Sequence, residues 1–185
     1  MQYRTMSGLS TREDNVTPVI SGHFAVFDTE TELYKGVFEK IDKNAFDGEL
    51  DGDVRALINH DTTLVVGRTT AGTLKLRTDD EGLGGDIEIN PDDGDAMNVY
   101  ARVQRGDVNQ CSFGFDILDE DAEYRDDGTV HFTIRKVKLY EVSICTFPAY
   151  ADTAIEARKK QIETETRRKR EAWKIQMKEK LTKWH

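Results

Sequence analysis

Residues 110–117, Gln-Cys-Ser-Phe-Gly-Phe-Asp-Ile, decide the fold of this chain. In an extended strand, successive side chains point to opposite faces of the sheet. The alternation therefore gives one apolar face and one face of small or polar residues. The apolar face holds Cys111, Phe113, Phe115 and Ile117, and the other holds Ser112, Gly114 and Asp116. This pattern predicts a strand with one face in a core.

Outward from this strand, short apolar runs separated by turn signals fill most of the first 150 residues. The strand that contains Ser112 should extend over residues 109–118. We predict further strands at residues 20–27, 34–41, 54–59, 64–69, 73–78, 83–89, 130–137 and 139–147. Asp42 can cap a short helical turn over residues 43–50. Many short strands at this spacing favour a β-sandwich or a β-barrel.

One helix interrupts the strands. Asn90 is the expected N-cap and Pro91 the first helical residue, and Gly106 suits the position after the helix ends. The apolar residues recur at helical spacing and form one face: Ala96, Val99, Tyr100 and Val103.

The charge distribution separates a body from a tail. Residues 1–150 carry 15 basic and 29 acidic side chains, and residues 151–185 carry 11 basic and 6 acidic ones. From Asp152 onward the composition is helical, and Trp173, Met177, Leu181 and Trp184 form an apolar stripe. We expect an N-terminal segment at 1–19, a body at 20–153 and a basic helical tail at 154–185.

The composition excludes several classes of protein. An acidic body repels phosphate, so we expect no nucleic-acid binding by the main domain. No apolar run reaches the ~18 residues needed to span a membrane, and the N-terminus shows no secretory signal. Two distant cysteines, Cys111 and Cys145, form neither a disulfide framework nor a zinc cluster. We expect a soluble cytosolic protein without metal or cofactor.

Ser112 and His60 are the residues best suited to chemistry. A serine needs an adjacent base to become nucleophilic at neutral pH, and His60 ends a predicted strand. A carboxylate would fix the imidazole tautomer, and Glu141, Asp61 and Asp116 are the candidates. Gly114 would leave room beside the serine for a substrate backbone.

Rival chemistry has less support. Gln110 stands where the G-x-S-x-G elbow would need its first glycine, so that hydrolase motif is absent. His60, His131, Cys111 and Cys145 lack the spacing of zinc ligands. Cys111 points away from the Ser112 face, and both cysteines are typical of small buried apolar residues.

Several segments together resemble the prohead protease family of tailed bacteriophages. The resemblance covers residues 20–153 in the family's order, and the segments that carry it are residues 22–28, 53–69, 105–115 and 139–150. The family is similar to the herpesvirus assembly proteases, which implies a closed, mostly antiparallel β-barrel surrounded by helices. Cys111 and Ile144 depart from residues common in the family, but neither replaces a catalytic group.

The resemblance implies a procapsid maturation serine endopeptidase. By position, Ser112 is the nucleophile, His60 the base and Glu141 the third member, and Arg68 is a candidate oxyanion donor. The implied substrates and partners are the major capsid protein with its scaffold domain, or a scaffolding protein, and the protease itself. The implied place of action is the procapsid in the host cytoplasm. A homodimer is a further partner that the resemblance allows.

Two other functions compete with this one. The first is a scaffolding or assembly protein that uses the same barrel without catalysis, and the second is a β-barrel binding module unrelated to phage. Retention of His60, Ser112 and Glu141 together favours the enzyme, because an inactive copy needs none of them.

Overall fold

A computed structural model of the protein describes residues 1–14, 17–147 and 152–182. The chain divides into two compact units, Met1–Ala151 and Asp152–His185.

The described part of the first unit consists of strands, one α-helix and a short 3-10 turn at Thr69–Ala71. The helix α1 spans Gly94–Arg105. The strands are β1 (Gln2–Ser7), β2 (Ser10–Asp14), β3 (Thr17–Val26), β4 (Thr31–Tyr34), β5 (Val37–Ile41), β6 (Arg55–Ile58), β7 (Asp61–Arg68), β8 (Leu74–Thr78), β9 (Gly82–Glu88), β10 (Gln110–Tyr124) and β11 (Val130–Cys145).

These strands form two sheets. The larger sheet has the order β1-β10-β11-β5-β4, and β6 pairs with both β11 and β7. The smaller sheet is antiparallel with the order β2-β3-β9-β8. In the larger sheet, β11 pairs in parallel with β5 through residues 130–134 and with β6 through residues 141–144.

The expected closed barrel surrounded by helices is wrong. The two sheets stay separate, and α1 is the one α-helix in the described residues of the first unit. The length of β10 and β11, 15 and 16 residues, is the physical reason. A strand this long has different neighbours along its two halves, so the sheet branches at β11 instead of closing. Alternation predicts strands but does not show which distant strands pair.

Most predicted strands are confirmed, with three differences. The predicted strand at 34–41 is two strands, β4 and β5, separated by a turn at Gly36, which has a φ of 79°. The two predicted strands at 130–137 and 139–147 are one continuous strand, β11. The N-terminal segment, for which no strand was predicted, contains β1 and β2. Residues 43–50 form successive turns that begin at Asp42.

Helix α1 begins later than its sequence suggests. Asp93 is the N-cap, because its Oδ1 accepts hydrogen bonds from the backbone N–H of Asp95 at 3.0 Å and Ala96 at 3.2 Å. Asn90 instead accepts from Asp92 N–H at 3.0 Å, in a turn before the helix. The end at Gly106, with a φ of 86°, is confirmed. The predicted apolar face is buried in the core: Ala96, Val99, Tyr100 and Val103.

Both sheets and α1 share one hydrophobic core. The stacked rings of Phe113 and Phe115 lie 4.7 Å apart in this core, and β3 and β9 add Phe24 and Leu83. The alternation predicted for β10 is therefore confirmed. Because Phe113 and Phe115 point into the core, Ser112 and Gly114 lie on the opposite face of the larger sheet.

The second unit contains the helix α2, Asp152–Thr182. Trp173 and Met177 of the predicted stripe are 60% and 40% exposed. The side chain of Leu181 and all of Trp184 lie outside what the structure describes. Within the described ranges, neither helix combines the length and the apolar character needed to cross a membrane.

Gly82 and Gly94 offer a test of this packing. A Cβ at Gly82 would collide with the carbonyl oxygen of Ala25 and would lie 3.0 Å from Val26 Cα, whereas a Cβ at Gly94 would meet nothing within 4 Å. We expect Gly82→Ala to lower the free energy of unfolding by about 1–3 kcal/mol, because neighbouring backbone must move. Gly94→Ala should be neutral or slightly stabilising, since alanine favours helix. Urea unfolding would measure both, and equal midpoints would contradict the packing of β3 on β9.

Candidate active site

His60 lies in a tight turn between β6 and β7. Asn59 and His60 are the two turn residues, with φ of 51° and 61°, and Ile58 pairs with Asp61 across the hairpin. Two-residue hairpins favour positive φ at both turn positions, commonly as Asn-Gly. Histidine lacks the freedom of glycine there, so the His60 backbone is held in a sparsely populated conformation. Such conformations persist where the surrounding structure fixes them.

The surrounding structure is the end of β11. Asn59 N–H donates to the Ile144 carbonyl at 2.9 Å, and Thr146 N–H donates to Asn59 Oδ1 at 2.8 Å. Asn59 Nδ2 donates to Thr146 Oγ1 at 3.3 Å, and His60 N–H donates to Ser143 Oγ at 3.3 Å. These four hydrogen bonds fix the turn against the end of β11 and the next residue, Thr146, and so place the imidazole.

Glu141 holds the imidazole itself. Its Oε1 lies 2.7 Å from His60 Nδ1, and the two side chains are 6% and 18% exposed. Its Oε2 accepts a hydrogen bond from Ser143 Oγ at 2.5 Å. The ring of Tyr3 packs on the imidazole with centroids 4.2 Å apart. The structure thus brings His60 and Glu141 together, in the arrangement that orients a histidine base.

Gly114 makes room for the Glu141 carboxylate. The two residues face each other across β10 and β11, and a Cβ at Gly114 would collide with Glu141 Oε1 and lie 3.0 Å from Tyr3 Cε1. The sequence suggested that this glycine leaves space for a substrate. In the structure the carboxylate occupies that space.

Ser112 lies on β10, the strand next to β11, which carries Glu141 and Ser143. It faces Ser143 directly across β10 and β11, so the two Cβ atoms are about 4.5–5.5 Å apart on one face of the sheet. Ser112 is fully buried, and its Oγ has no hydrogen-bond partner. The predicted hydrogen bond between Ser112 and His60 is therefore not formed in this structure.

Cys145 occupies the other side of the imidazole. Its Sγ lies 3.7 Å from His60 Nε2, the nitrogen that a serine nucleophile would need. Burial, followed by the charge of Glu141, raises the pKa of the Cys145 thiol to about 12. Cys111, on the core face of β10, contacts the His23 carbonyl, and burial raises its pKa to about 12 as well. Both thiols are therefore protonated at neutral pH.

The two rival carboxylates contact other groups. Asp61 accepts hydrogen bonds from the hydroxyl and then the backbone N–H of Thr63, and both lower the pKa of its carboxyl. Asp116 accepts from the Tyr140 hydroxyl at 3.0 Å. Of the three carboxylates considered from the sequence, Glu141 is the one that contacts His60.

Arg68 pairs with an aspartate. Its Nε and Nη2 donate to the two carboxylate oxygens of Asp53 at 2.7 and 2.8 Å. This guanidinium lowers the pKa of Asp53 to about 2. No hydrogen bond joins Arg68 to Ser112, whose hydroxyl has no partner.

Sequence reasoning missed three residues of this group: Tyr3, Ser143 and Cys145. The last two follow from the two-residue period of a strand, which places Glu141, Ser143 and Cys145 on one face. Tyr3 carries no local signal, because it arrives through the pairing of β1 with β10. No cluster of three or more His, Cys, Asp or Glu side chains suited to a metal ion occurs in the described ranges.

The sequence profile described as caudovirus prohead serine protease matches residues 5–168. The chain belongs to this family. His60, Ser112 and Glu141 all lie inside the matched region, and Tyr3 precedes it. The resemblance inferred from the sequence motifs is therefore confirmed.

A curated relative is the prohead protease of Enterobacteria phage HK97. It is 30% identical to this chain over an alignment of 153 positions, and the match covers 77% of this chain and 65% of that protease. The match therefore spans somewhat less than two thirds of the length of this relative. No solved structure matches the chain.

The two thiols give a test of the site's burial. Alkylation needs the thiolate, so the raised pKa of Cys111 and Cys145 should make both slow to react at pH 8. We expect no adduct after brief iodoacetamide treatment of the native protein and two adducts in denaturant, as measured by mass spectrometry. Rapid labelling of Cys145 in the native state would show that the thiol beside His60 is accessible or ionised, contrary to this structure.

Proposed function

We propose that this chain is a serine endopeptidase of phage procapsid maturation, with Ser112 as nucleophile, His60 as general base and Glu141 as the orienting carboxylate. The observation that carries the proposal is the Glu141–His60 hydrogen bond at 2.7 Å, beside a buried and unpartnered serine on the same sheet face. Membership of the prohead serine protease family supports the same chemistry.

The proposed reaction has an acylation step and a deacylation step, and His60 acts in both. Ser112 Oγ attacks the scissile carbonyl carbon while His60 Nε2 takes the serine proton, and Glu141 stabilises the imidazolium that forms. The imidazolium then protonates the leaving amine as the peptide bond breaks. In deacylation, water attacks the acyl carbon while His60 Nε2 takes its proton, and the imidazolium returns that proton to Ser112 Oγ as the acyl–serine bond breaks. Backbone N–H groups near the serine strand would bind the oxyanion, with Arg68 as the side-chain candidate.

This reaction requires Ser112 Oγ to reach His60 Nε2, which faces Cys145 in the structure described here. Catalytic hydrogen bonds commonly tighten only when substrate is bound. We propose that substrate binding replaces the Cys145–His60 contact with a Ser112–His60 hydrogen bond.

The proposed substrates are the major capsid protein with its scaffold domain, or a separate scaffolding protein, and the protease itself. The proposed place of action is the procapsid in the host cytoplasm, and a homodimer is one arrangement compatible with this role. The alternative is a non-catalytic assembly protein. The paired His60 and Glu141 favour the enzyme, because a buried carboxylate–imidazole pair costs desolvation energy that an assembly surface does not require.

Because Cys145 Sγ lies close to His60 Nε2, its thiol is a second candidate nucleophile. We expect Ser112→Ala to reduce peptide cleavage by at least about 10³-fold, since a triad without its nucleophile loses most of its activity. Cys145→Ala should keep activity, because its thiol is protonated at neutral pH. Both variants would be co-expressed with the phage's capsid and scaffold proteins, and the fragment masses would be determined.

Circular dichroism of each variant would confirm that it is folded. Cleavage that survives Ser112→Ala, or that stops with Cys145→Ala alone, would overturn the assignment of the nucleophile. A wild-type protein that cleaves none of these proteins would favour the assembly role.

We propose that the helical tail serves delivery or timing and not catalysis. Residues 151–185, which include the tail, carry an excess of five positive charges, whereas residues 1–150 carry an excess of 14 negative charges, so any electrostatic docking should weaken with salt. Truncation after Thr153 should leave a folded peptidase that packages poorly into procapsids. Solubility, cleavage and packaging would be measured against the full chain, and an insoluble or inactive truncation would contradict the proposal.

A further inference from the structure

We propose that Ser143 is a positioning residue, which orients Glu141 and connects it to the turn that carries His60. This inference rests on the proposed function of Ser112, His60 and Glu141. It assigns the role to a hydroxyl that lies in the middle of the site and touches two of its members.

The hydrogen bonds around Ser143 Oγ have one possible polarity. The His60 backbone N–H can only donate, so Ser143 Oγ is the acceptor in their 3.3 Å hydrogen bond. The single hydroxyl hydrogen of Ser143 is then directed to Glu141 Oε2, at 2.5 Å. Ser143 therefore joins the acid and the backbone of the base through one atom.

This arrangement leaves Glu141 one oxygen for the imidazole. With Oε2 bound to Ser143, Oε1 faces His60 Nδ1 at 2.7 Å, so Nδ1 carries the hydrogen and Nε2 keeps its lone pair for the nucleophile. Among the residues that the structure describes, His60 and Ser143 are the hydrogen-bond partners of this carboxylate, and both Glu141 and Ser143 are buried. Without the hydroxyl, the carboxylate would be free to turn away from the imidazole.

Neighbouring strands enclose Ser143 on both sides. Ser143 lies between Ser112 on β10 and Leu57 on β6 in the strand register, and it is fully buried. Bulk water therefore does not reach Ser143 Oγ. Hydrogen bonds to a buried charged group are among the stronger ones in proteins.

The loss expected on removing this hydroxyl is a loss of orientation. A displacement of a catalytic group by about 1 Å can cost on the order of 10²-fold in rate. Ser143→Ala should therefore lower kcat by about 10²-fold while KM changes little, because the contacts of Ser143 Oγ are to Glu141 and His60 and not to substrate.

Ser143→Cys separates positioning from packing. Cysteine is close to serine in size, but its thiol is a weak donor. If Ser143 only fills space, Ser143→Cys should behave like the wild type. If Ser143 positions Glu141, Ser143→Cys should lose nearly as much kcat as Ser143→Ala, and it remains informative if the alanine variant does not fold. Ser10→Ala, which removes a hydroxyl on the other sheet, is the matched control.

A second measurement does not depend on activity. Proton NMR of the full chain should show a downfield resonance from His60 Nδ1–H bound to Glu141, which disappears in His60→Ala. We expect this resonance to persist in Ser112→Ala, the variant whose activity tests the proposed nucleophile. We expect it to be lost or shifted in both Ser143 variants. Thermal unfolding would be followed in parallel.

The proposal is overturned if both Ser143 variants keep the wild-type kcat and the downfield resonance. It is also overturned if Ser143→Cys matches the wild type while Ser143→Ala loses activity and thermal stability together. An inactive wild-type protein that keeps a Ser143-dependent resonance would contradict the proposed peptidase and leave the positioning role supported.

Discussion

The pairing of β10 with β11 is the constraint on which the rest of the structure depends. Its register sets Ser112 opposite Ser143 and Gly114 opposite Glu141, and it directs Phe113 and Val142 into the core. Because side chains alternate along a strand, a slip of one residue would place the phenylalanines among the polar groups and Glu141 in the core. The burial of these aromatic rings therefore also fixes the site on the other face. Core and site are two consequences of one register.

Local pattern predicted the parts of this fold and not their assembly. The alternation at 110–117 and the helical spacing of Ala96, Val99 and Val103 depend on near neighbours, and both are confirmed. The closed barrel was wrong because pairing partners are distant in sequence. The parallel pairing of β11 with β5 joins residues more than 90 positions apart. Asp93 replaced Asn90 as the N-cap because both residues can make the same local hydrogen bond.

The candidate site shows the same division. Ser112, His60 and Glu141 were chosen from strand ends and from the resemblance to prohead proteases, and the structure pairs His60 with Glu141. Ser143 was within reach of sequence reasoning, two residues after Glu141 on the same face. Tyr3 was not, because β1 joins β10 from the far end of the chain. The contact of Cys145 with His60 depends on the hydrogen-bonded turn at Asn59, which no sequence period encodes.

The positive φ of His60 has a consequence for how this sequence can change. Glycine would relax the turn, and the four hydrogen bonds that hold the turn to β11 would no longer oppose a strained backbone. A chain selected for stability alone would therefore drift toward Asn-Gly at positions 59 and 60 and lose its imidazole. Local frustration of this kind concentrates where function conflicts with folding. The backbone at His60 thus marks the site independently of any side-chain chemistry.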